Sequence, residues 1–448
     1  MKPGPGSVSV IGMGYVGLCT SAAFASKGIK TVGIDIDEKR IEQIQQGRAP
    51  LYEPQLDSML KKALRKKLLT VTNDISQAAH TSSTFLTVGT PSRKDGSIDL
   101  TSIERATEEL GTALREKQSY HLVIVKSTVI PGTTNKTVKP ILAKSSSKTI
   151  GTNLGLCANP EFLKEGTAIN DTLHPDKIVI GANDKKSANT LKQLYRRFYG
   201  KNFPPLILTS PETAELVKYA SNAFLATKIS FINTIANIAQ AIPGVDVNQV
   251  AEAIGRDPRI GPLFLKAGPG YGGSCFHKDL QALINFSQDL RYSPILLRAT
   301  EETNDQQAEK VVELVEKFTG PLNQKRIVVL GLAFKKDTDD IREAASLRVI
   351  ALLLKMGARV IAYDPLAIPN ARKQLGETVE FAADEQLALK SADCCIVMTE
   401  WGQFEKLQTK DFLALMRTPN LVDARRLYNP DRYGALNFAA IGFGARQE

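Results

Sequence analysis

The sequence predicts an α/β protein in which two doubly wound parallel-sheet domains are joined by a long central helical region. Short β-branched runs alternate with helical stretches over about the first 150 residues and again beyond residue 325. Between them, from about 210 to 316, apolar residues recur at helical spacing. We therefore predict three domains, at 1–209, 210–316 and 317–448.

The first domain begins with buried strands separated by helical stretches. We expect strands at 8–11, 31–35, 84–88 and 122–125, because each is a short run rich in β-branched or other apolar residues. Strands that alternate with helices pair in parallel, and the helices then cover both faces of the sheet.

A long helix is predicted to open the central region. Pro211 stands at an early helical position, and Glu212 and Glu215 follow it closely. Apolar residues then recur at helical spacing, at Leu216, Ala220, Phe224, Ile229, Ile232 and Ala236. We interpret 210–316 as a helical connector between two sheet domains.

The strand pattern resumes in the last domain, with runs at 326–331, 359–364 and 394–398. Gly331 and Asp364 echo Gly12 and Asp35 of the first domain, which suggests a second Rossmann-like domain. The second and third glycines of the first domain's loop are missing here, so a dinucleotide is expected in the first domain rather than in the last.

The overall charge favours a small anionic substrate. The chain has 448 residues, with 57 lysines and arginines against 47 acidic residues and a formal net charge of +10. The basic residues are spread along the chain without a long tract or a nucleic-acid motif, which argues against nucleic acid as a partner. No stretch of about 18 uncharged apolar residues occurs, so we expect no membrane span.

The number and spacing of the cysteines and histidines indicate whether disulfides or a metal site are expected. The five cysteines are odd in number, and their spacing fits neither a zinc site nor a disulfide framework. The four histidines show no ligand spacing. The first six residues carry no signal-type apolar run. We expect reduced thiols, no metal site and a cytoplasmic location.

A glycine-rich loop predicts the cofactor site. The run Gly12-Met13-Gly14-Tyr15-Val16-Gly17 follows a strand, opens a helix and precedes an acidic strand end at Asp35. This context fits a dinucleotide fingerprint, in which the glycines bring backbone close to a pyrophosphate at a helix N-terminus. Asp35 would accept bonds from ribose hydroxyls and repel a 2′-phosphate, so NAD is favoured over NADP. Arg40 is either a receptor for that phosphate or a solvated helix charge.

Two further loops follow predicted strands, where an open α/β sheet binds its ligands. They are 88–92, with Thr90, and 126–133, with Thr128. Their hydroxyls can meet a cofactor or substrate, but turns and helix caps also favour these residue types.

The segment 159–166 places Glu161 and Glu165 four residues apart. If it is helical, the two carboxylates share a face, so that one can handle protons while the other orients. The alternative is a solvated helix start.

Lys218 and Asn222 repeat this spacing on the predicted central helix, on the side that also carries Glu215. A lysine and an amide on one helix face can hold an oxyanion. A single such pair is also common as surface decoration.

The segment 270–279 is the most informative one, because a glycine loop leads into Cys275 at the predicted start of a helix. Unpaired amides and the helix field stabilise a thiolate there. Asp279, one turn later, can hold a water or an ammonium beside the thiol. The alternative is a small buried cysteine after a flexible loop. His277 remains unassigned.

In this order, the motifs resemble those of the UDP-glucose 6-dehydrogenase family, within the wider group of nucleotide-sugar dehydrogenases. The resemblance runs from Gly12 to about Tyr428. The matching pieces are GMGYVG, VGTPS, STVIPGT, NPEFLKEG, ELVKYASNAFLATKISFIN, GGSCFHKD, GLAFKKDTDDIRE, YDP and TEW. His277 departs from the pattern, since many relatives have proline there.

The resemblance implies a two-step, four-electron oxidation of UDP-glucose to UDP-glucuronate with two NAD. Cys275 matches the cysteine that captures the intermediate aldehyde as a thiohemiacetal and then carries a thioester. Lys218, Asn222 and a water held by Asp279 look like the group that stabilises the oxyanions. Glu161 is similar to the hydrolysis base, with Thr128 holding a water.

The resemblance also implies the binding residues. On the cofactor side, Arg342 and Glu165 join the glycine loop, Asp35, Arg40, Thr90 and Thr128. The sugar nucleotide would meet Glu161, Phe162, Leu163, Lys164, Lys218, Asn222, Lys266, Tyr271, Gly272, Lys335 and Arg425. Arg259 is similar to an arginine that enters the neighbouring subunit's site, which implies at least a homodimer.

Three other readings remain open. The substrate can be GDP-mannose or another nucleotide sugar. The chain can be a catalytically silent regulator that binds NAD or a sugar nucleotide, although Cys275, Lys218, Asn222 and Asp279 together argue against this. A simple two-electron hydroxyacid dehydrogenase is the weakest reading, because it needs neither the thiol nor a second sheet domain.

Overall fold

The computed structural model describes residues 6–444, and the chain falls into two compact units, Met1–Ser221 and Asn222–Glu448. The predicted division into three domains stays a prediction. Residues 1–5 and 445–448, which belong to the predicted first and last domains, lie outside the described residues. The stretch 1–6, which was predicted to carry no signal-type apolar run, therefore lies outside the described residues except for Gly6.

The first unit is built on an eight-stranded sheet with the order β3-β2-β1-β4-β5-β6-β7-β8. Its strands are β1 (Val8–Ile11), β2 (Thr31–Ile34), β3 (Leu69–Thr72), β4 (Ser83–Leu86), β5 (His121–Val125), β6 (Leu154–Ala158), β7 (Ile178–Ala182) and β8 (Leu206–Thr209). Every neighbouring pair is parallel except β6 and β7, which are antiparallel.

Seven α-helices belong to the described part of the first unit alone, and an eighth continues into the second. They are α1 (Tyr15–Ser26), α2 (Glu38–Gln45), α3 (Leu56–Arg65), α4 (Thr101–Leu114), α5 (Lys139–Ser146), α6 (Ala168–Leu173), α7 (Lys185–Tyr199) and α8 (Pro211–Gln240).

The second unit contains a six-stranded, all-parallel sheet with the order β11-β10-β9-β12-β13-β14. Its strands are β9 (Arg326–Leu330), β10 (Arg359–Tyr363), β11 (Glu380–Phe381), β12 (Cys394–Val397), β13 (Asn420–Asp423) and β14 (Asn437–Ala440). Its further helices are α9 (Val247–Gly255), α10 (Phe276–Asp289), α11 (Ile295–Thr319), α12 (Ala345–Lys355), α13 (Ile368–Leu375), α14 (Glu385–Leu389), α15 (Gly402–Glu405) and α16 (Thr409–Leu415).

Each sheet has an apolar core on both faces, which confirms the doubly wound fold class. In the first unit, Val8 and Val10 pack into one core, whereas Ile11 packs into another. Alternate residues of a strand point to opposite faces, so the two clusters lie on the two sides of the sheet. The second unit repeats this arrangement, with Val329 in one core and Val328 in the other. The predicted helical stretch 210–316 contains α8, α9, α10 and most of α11.

The first strands of the two sheets end in the same backbone geometry. Gly12 and Gly331 have φ values of +95° and +99°, a region that favours glycine. The acid of the second unit, Asp364, is buried and accepts hydrogen bonds from four backbone N–H groups and from the Trp401 indole, 3.1 Å away. Groups of the protein itself therefore already bond to this carboxylate.

Candidate active site

The three glycines of the first loop have three different surroundings. A Cβ at Gly12 would lie 2.8 Å from the Val88 backbone, and one at Gly17 would lie 1.8 Å from the Gly12 carbonyl oxygen. A Cβ at Gly14 would meet nothing within 4 Å. Gly12 and Gly17 thus allow the tight turn and the close packing of α1, while Gly14 borders open space at the start of that helix.

The N-terminus of α1 is suited to an anion. Gly14 is the N-cap residue and has no side chain to cap the helix, and the first turn contains no acidic residue. Free backbone N–H groups and the helix field favour a phosphate at such a position. These features fit the pyrophosphate of a dinucleotide.

Asp35 follows β2 and is almost fully buried. Its carboxylate accepts hydrogen bonds from the N–H groups of Met13 (2.6 Å) and Asp37 (2.9 Å), and it pairs with Arg40 at 2.9 Å. Arg40 is thus held on the acid while about a third of its side chain stays exposed, and the two alternatives for its role stay open. The predicted contact of Asp35 with ribose stays a prediction.

The loops that follow β4 and β5 are bonded to each other. The Thr90 hydroxyl donates to the Thr128 carbonyl oxygen at 2.7 Å, and the Ser127 hydroxyl donates to the Val88 carbonyl oxygen at 2.7 Å. Thr128 and Lys218 also line one small cleft of about 10 Å³. This is roughly the space that a single water requires.

The segment 159–164 is not helical, so the shared helical face of Glu161 and Glu165 is wrong. Pro160 precedes Glu161, whose carboxylate accepts the backbone N–H of Leu163 at 2.5 Å and closes a local turn. Helix α6 begins only at Ala168. A side chain that satisfies its own nearby backbone competes with a helix.

Glu161 instead pairs with Lys218 of α8, at 2.9 Å between Oε1 and Nζ, and both side chains are buried. Burial alone would raise the pKa of Glu161, but Lys218, the Leu163 N–H and Lys126 hold it below its ordinary value. Glu161 is therefore ionised at neutral pH. Its pairing with Lys218 could not be read from two motifs far apart in the sequence.

Beyond Glu161, the chain runs along a cavity of about 280 Å³ in the first unit. Phe162, Leu163 and Lys164 line it, and the Phe162 ring lies 4.4 Å from the Lys177 ammonium. Lys164 is exposed and pairs with Asp171 at 3.6 Å. The predicted contacts of this segment with a sugar nucleotide are not tested by these distances.

Sequence reasoning did not foresee the burial of three ionisable groups, although it had placed Glu215 on the helix side of Lys218 and Asn222. Burial lowers the pKa of Lys126 to about 8, and its ammonium lies 3.3 Å from Asn159 Oδ1. Burial raises the pKa of Glu215 to about 7. Glu53 accepts bonds from the Tyr15 hydroxyl and the Gly166 N–H, and so joins the glycine loop to the segment beside Glu165. The available signals were charged residues next to a predicted loop or turn, namely Lys126 before Ser127 and Glu53 before Pro54.

In the second unit, Cys275 is exposed and forms the N-cap of α10. The alternative of a buried packing cysteine is therefore wrong. The other four cysteines, Cys19, Cys157, Cys394 and Cys395, are buried, and burial raises the pKa of each thiol. None of the five is in a disulfide.

Asp279 lies one turn into α10 and is buried. Its two carboxylate oxygens accept hydrogen bonds from Asn222 (2.6 Å) and from the Lys278 ammonium (2.6 Å). Two predicted catalytic groups, Asn222 and Asp279, are thus brought together within the second unit. The expectation that Asp279 holds a water or an ammonium beside the thiol stays a prediction.

The glycine loop before Cys275 packs closely on the chain near residue 343. A Cβ at Gly272 would lie 2.3 Å from the Glu343 carbonyl oxygen, and Gly273 donates its N–H to the Arg342 carbonyl oxygen at 2.8 Å. Tyr271 is buried, and its hydroxyl donates to Glu301. The loop is therefore held in place by α11 and by the segment before α12.

The remaining predicted binding residues differ in what they contact. Arg425 donates to the carbonyl oxygens of Met398 (2.6 Å) and Phe334 (2.7 Å). Arg342 pairs with Asp340, and Arg259 pairs with Asp257, both at 2.6 Å. Lys266 is exposed, and the Lys335 ammonium lies 5.5 Å from the Phe334 ring centre. Their predicted roles stay predictions.

Within residues 6–444, no group of three or more His, Cys, Asp or Glu side chains could hold a metal ion. In the same part of the chain, no helix is both long enough and apolar enough to cross a bilayer.

Comparison with known proteins identifies domains along most of the chain. Models of the UDP-glucose/GDP-mannose dehydrogenase family match residues 6–199 (NAD binding domain), 212–306 (central domain) and 328–430 (UDP binding domain). The UDP-glucose 6-dehydrogenase TuaD of Bacillus subtilis is 41% identical over 438 residues, which cover 98% of this chain and 93% of that protein.

Two solved structures resemble this chain over nearly its full length. A UDP-glucose dehydrogenase from the hyperthermophilic archaeon Pyrobaculum islandicum has a TM-score of 0.91 at 39% identity, with 98% of both chains covered. A UDP-D-ManNAc dehydrogenase from Pyrococcus horikoshii has a TM-score of 0.85 at 27% identity, with 97% of this chain and 99% of that chain covered.

The dinucleotide loop, the exposed N-cap cysteine and matches over nearly the full length thus lead to one conclusion. This chain belongs to the UDP-glucose/GDP-mannose dehydrogenase family and is an NAD-dependent oxidoreductase.

Proposed function

We propose that this enzyme oxidises UDP-glucose to UDP-glucuronate through thiohemiacetal and thioester intermediates on Cys275. The observation that carries the proposal is the exposed thiol at the N-terminus of α10, with buried Asp279 one turn later. The sugar comes from the relatives, since the matched proteins of Bacillus subtilis and Pyrobaculum islandicum are both described as UDP-glucose dehydrogenases.

The first unit would hold the cofactor. The loop Gly12–Gly17 would receive the pyrophosphate, and Asp35, with Arg40 beside it, would face the adenosine ribose. Thr90, Thr128 and Glu165 are the further proposed contacts in this unit, and Arg342 of the second unit is proposed as one more. When bound, NAD accepts one hydride in each half-reaction.

Cys275 would act as the nucleophile after the first oxidation. Its thiolate adds to the aldehyde carbon, and the carbonyl oxygen takes a proton as the thiohemiacetal forms. Asn222 and Lys218 stand four residues apart on α8 and would stabilise that oxygen while it carries negative charge. The second hydride transfer leaves a thioester on Cys275.

Hydrolysis would then free the product. Glu161 takes a proton from a water held by Thr128, the water oxygen bonds to the thioester carbon, and the carbon–sulfur bond breaks to release the Cys275 thiolate. Each alcohol thus consumes two NAD and one water, and yields one carboxylate, two NADH and three protons.

The remaining predicted residues are proposed as substrate contacts. Phe162, Leu163 and Lys164 would follow the sugar nucleotide along the backbone. The loop with Tyr271 and Gly272, together with Lys266, Lys335 and Arg425, would hold the diphosphate and the rings.

We also propose a homodimer or a larger homo-oligomer. Phe224, Phe231 and Ile238 recur every seven residues on α8, and their side chains are at least half exposed. Large apolar side chains at one helix face are a common sign of an interface. Arg259 is 87% exposed and would reach into the neighbouring subunit's site.

Cofactor stoichiometry tests the reaction. Complete oxidation of a limiting amount of UDP-glucose should form about two NADH per sugar, measured by absorbance, because the reaction removes four electrons. Cys275→Ser should stop the second half-reaction while the thermal unfolding midpoint stays unchanged. A ratio of one for the intact enzyme, or full turnover by the variant, contradicts the thioester route. Absence of turnover with every nucleotide sugar would support a silent binding protein.

A different nucleotide sugar is the second candidate, since the Pyrococcus horikoshii structure that resembles this chain is a UDP-D-ManNAc dehydrogenase. Parallel assays with UDP-glucose, GDP-mannose, UDP-galactose and UDP-N-acetylmannosamine, each with NAD and NADP, separate the candidates. We expect a strong response only to UDP-glucose with NAD.

We further propose a cytoplasmic location, which suits five cysteines without a disulfide.

A further inference from the structure

The first turn of α10, just after Cys275, carries one member of a charged pair that the proposed chemistry does not use. His277 Nδ1 lies 2.5 Å from Glu301 Oε2, two residues after Cys275. The contact is an ion pair by distance and not an aligned hydrogen bond. Glu301 belongs to α11 and is buried, whereas His277 is partly exposed.

Glu301 contacts both the glycine loop before Cys275 and helix α10 after it. One carboxylate oxygen accepts the hydroxyl of Tyr271, four residues before Cys275, and the other accepts the amide of Gln281 on α10 at 3.1 Å. The backbone N–H of Tyr271 is also fixed, since it donates to Asn304 on α11 at 2.7 Å. The chain before Cys275 and the helix after it are therefore both attached to α11.

A carboxylate in this position carries an electrostatic cost. Buried charge is unfavourable without a counter-charge, and an uncompensated anion beside a cysteine opposes its ionisation to a thiolate. The contact with Glu301 raises the pKa of His277 although burial opposes it, and Glu343 and Asp305 act in the same direction. His277 is thus favoured in its charged form, in which it cancels the charge of Glu301.

The other charges around the pair are largely matched among themselves. On α10, Lys278 pairs with Asp279 at 2.6 Å. On α11, Asp305 pairs with Arg348 of α12 at 2.7 Å. Glu343, before α12, adds one further negative charge that faces His277. Loss of the imidazolium would therefore leave the surroundings of the loop more negative.

We propose that Glu301 and His277 are positioning residues for Cys275, with Glu301 attaching the glycine loop to α11 and His277 neutralising it so that the neighbouring thiolate is not destabilised. This inference rests on the proposed role of Cys275 as the nucleophile. It gives a function to a histidine that the proposed chemistry leaves unassigned.

The test is the pH profile of Cys275 alkylation by iodoacetamide, followed by peptide mass spectrometry on the full chain. Only the thiolate reacts, and the other four thiols are buried. His277→Gln should move the profile's midpoint upward by about half a pH unit, which makes alkylation at neutral pH about threefold slower. Adding Glu301→Gln removes the uncompensated charge. The midpoint of the double variant's alkylation profile should therefore return to within about 0.2 pH units of the parent's midpoint.

His174→Gln is the matched control, because it removes an exposed histidine from the other unit and should leave the profile unchanged. An unshifted profile in His277→Gln overturns the inference, and so does a double variant that stays as slow as the single one. Alkylation needs neither sugar nor NAD. Full turnover by Cys275→Ser would therefore refute the proposed function without changing the alkylation result.

Discussion

At the scale of single residues, the glycines of the first loop separate folding from binding. Gly17 is required by the packing of α1 against the Gly12 carbonyl, whereas Gly14 borders open space. Both belong to one motif, and the sequence alone does not distinguish their roles. The difference becomes visible only when the position of each missing Cβ is known.

Alanine substitutions at these two glycines should therefore affect different properties, mainly stability at Gly17 and mainly NAD binding at Gly14. Gly17→Ala forces a clash and should lower the free energy of unfolding by about 1–3 kcal/mol. Gly14→Ala should cost about 1 kcal/mol or less, since alanine is only a poorer N-cap, but should weaken NAD binding. Urea unfolding and calorimetric titration with NAD measure the two effects. Unchanged NAD affinity in Gly14→Ala would place the pyrophosphate elsewhere.

At the scale of elements, Glu215 connects α8 to the loop after β5. Its carboxylate accepts hydrogen bonds from the N–H groups of Gly132 (2.6 Å) and Thr134 (2.8 Å). Burial nevertheless raises its pKa from 4.5 to about 7. The folded protein thus binds a proton more tightly than the unfolded chain does, so this group favours folding below pH 4.5 and loses that contribution as the pH rises to about 7.

Stability should accordingly fall between about pH 5 and pH 8, by up to roughly 3 kcal/mol from this group. Glu215→Gln resembles the protonated acid and should flatten the decline. Glu212→Gln, on the same helix turn, is the matched control and should leave it intact, because the pKa of Glu212 is lowered rather than raised. Urea unfolding at both pH values measures this. An equally steep decline in Glu215→Gln would contradict the assignment.

The elements also show what sequence reasoning could reach. The first strands of each sheet, such as β1, β2, β9 and β10, and helix α8 were predictable because β-branched runs and helical spacing are local signals. Others, such as β3, β7 and β8, were not predicted. The start of α10 at Phe276 was also predicted, because a glycine loop precedes it. The turn at Glu161 was not, since a side chain bonded to the Leu163 backbone overrides the helical spacing of two acids. The Glu161–Lys218 pair joins residues 57 positions apart, which no local pattern records.

At the scale of the whole molecule, the exposed stripe on α8 predicts self-association. Phe231→Asp places a charge in the proposed interface and should shift the sedimentation coefficient towards that of a monomer. Leu387→Asp, at a side chain of similar exposure on α14, is the matched control and should leave the assembly unchanged. If both variants sediment like the parent, the proposal that α8 forms the interface is contradicted.

The buried acid of the second unit bears on how such chains are recognised by pattern searches. A search that scores a strand, a following glycine and a later acid would count two dinucleotide sites in this protein. We expect the second to be a false positive, because Asp364 already accepts hydrogen bonds from the Trp401 indole and four backbone amides. The indole comes from a residue 37 positions further along the chain. A pattern that also penalises a tryptophan at that distance would separate the two sheets without a structure.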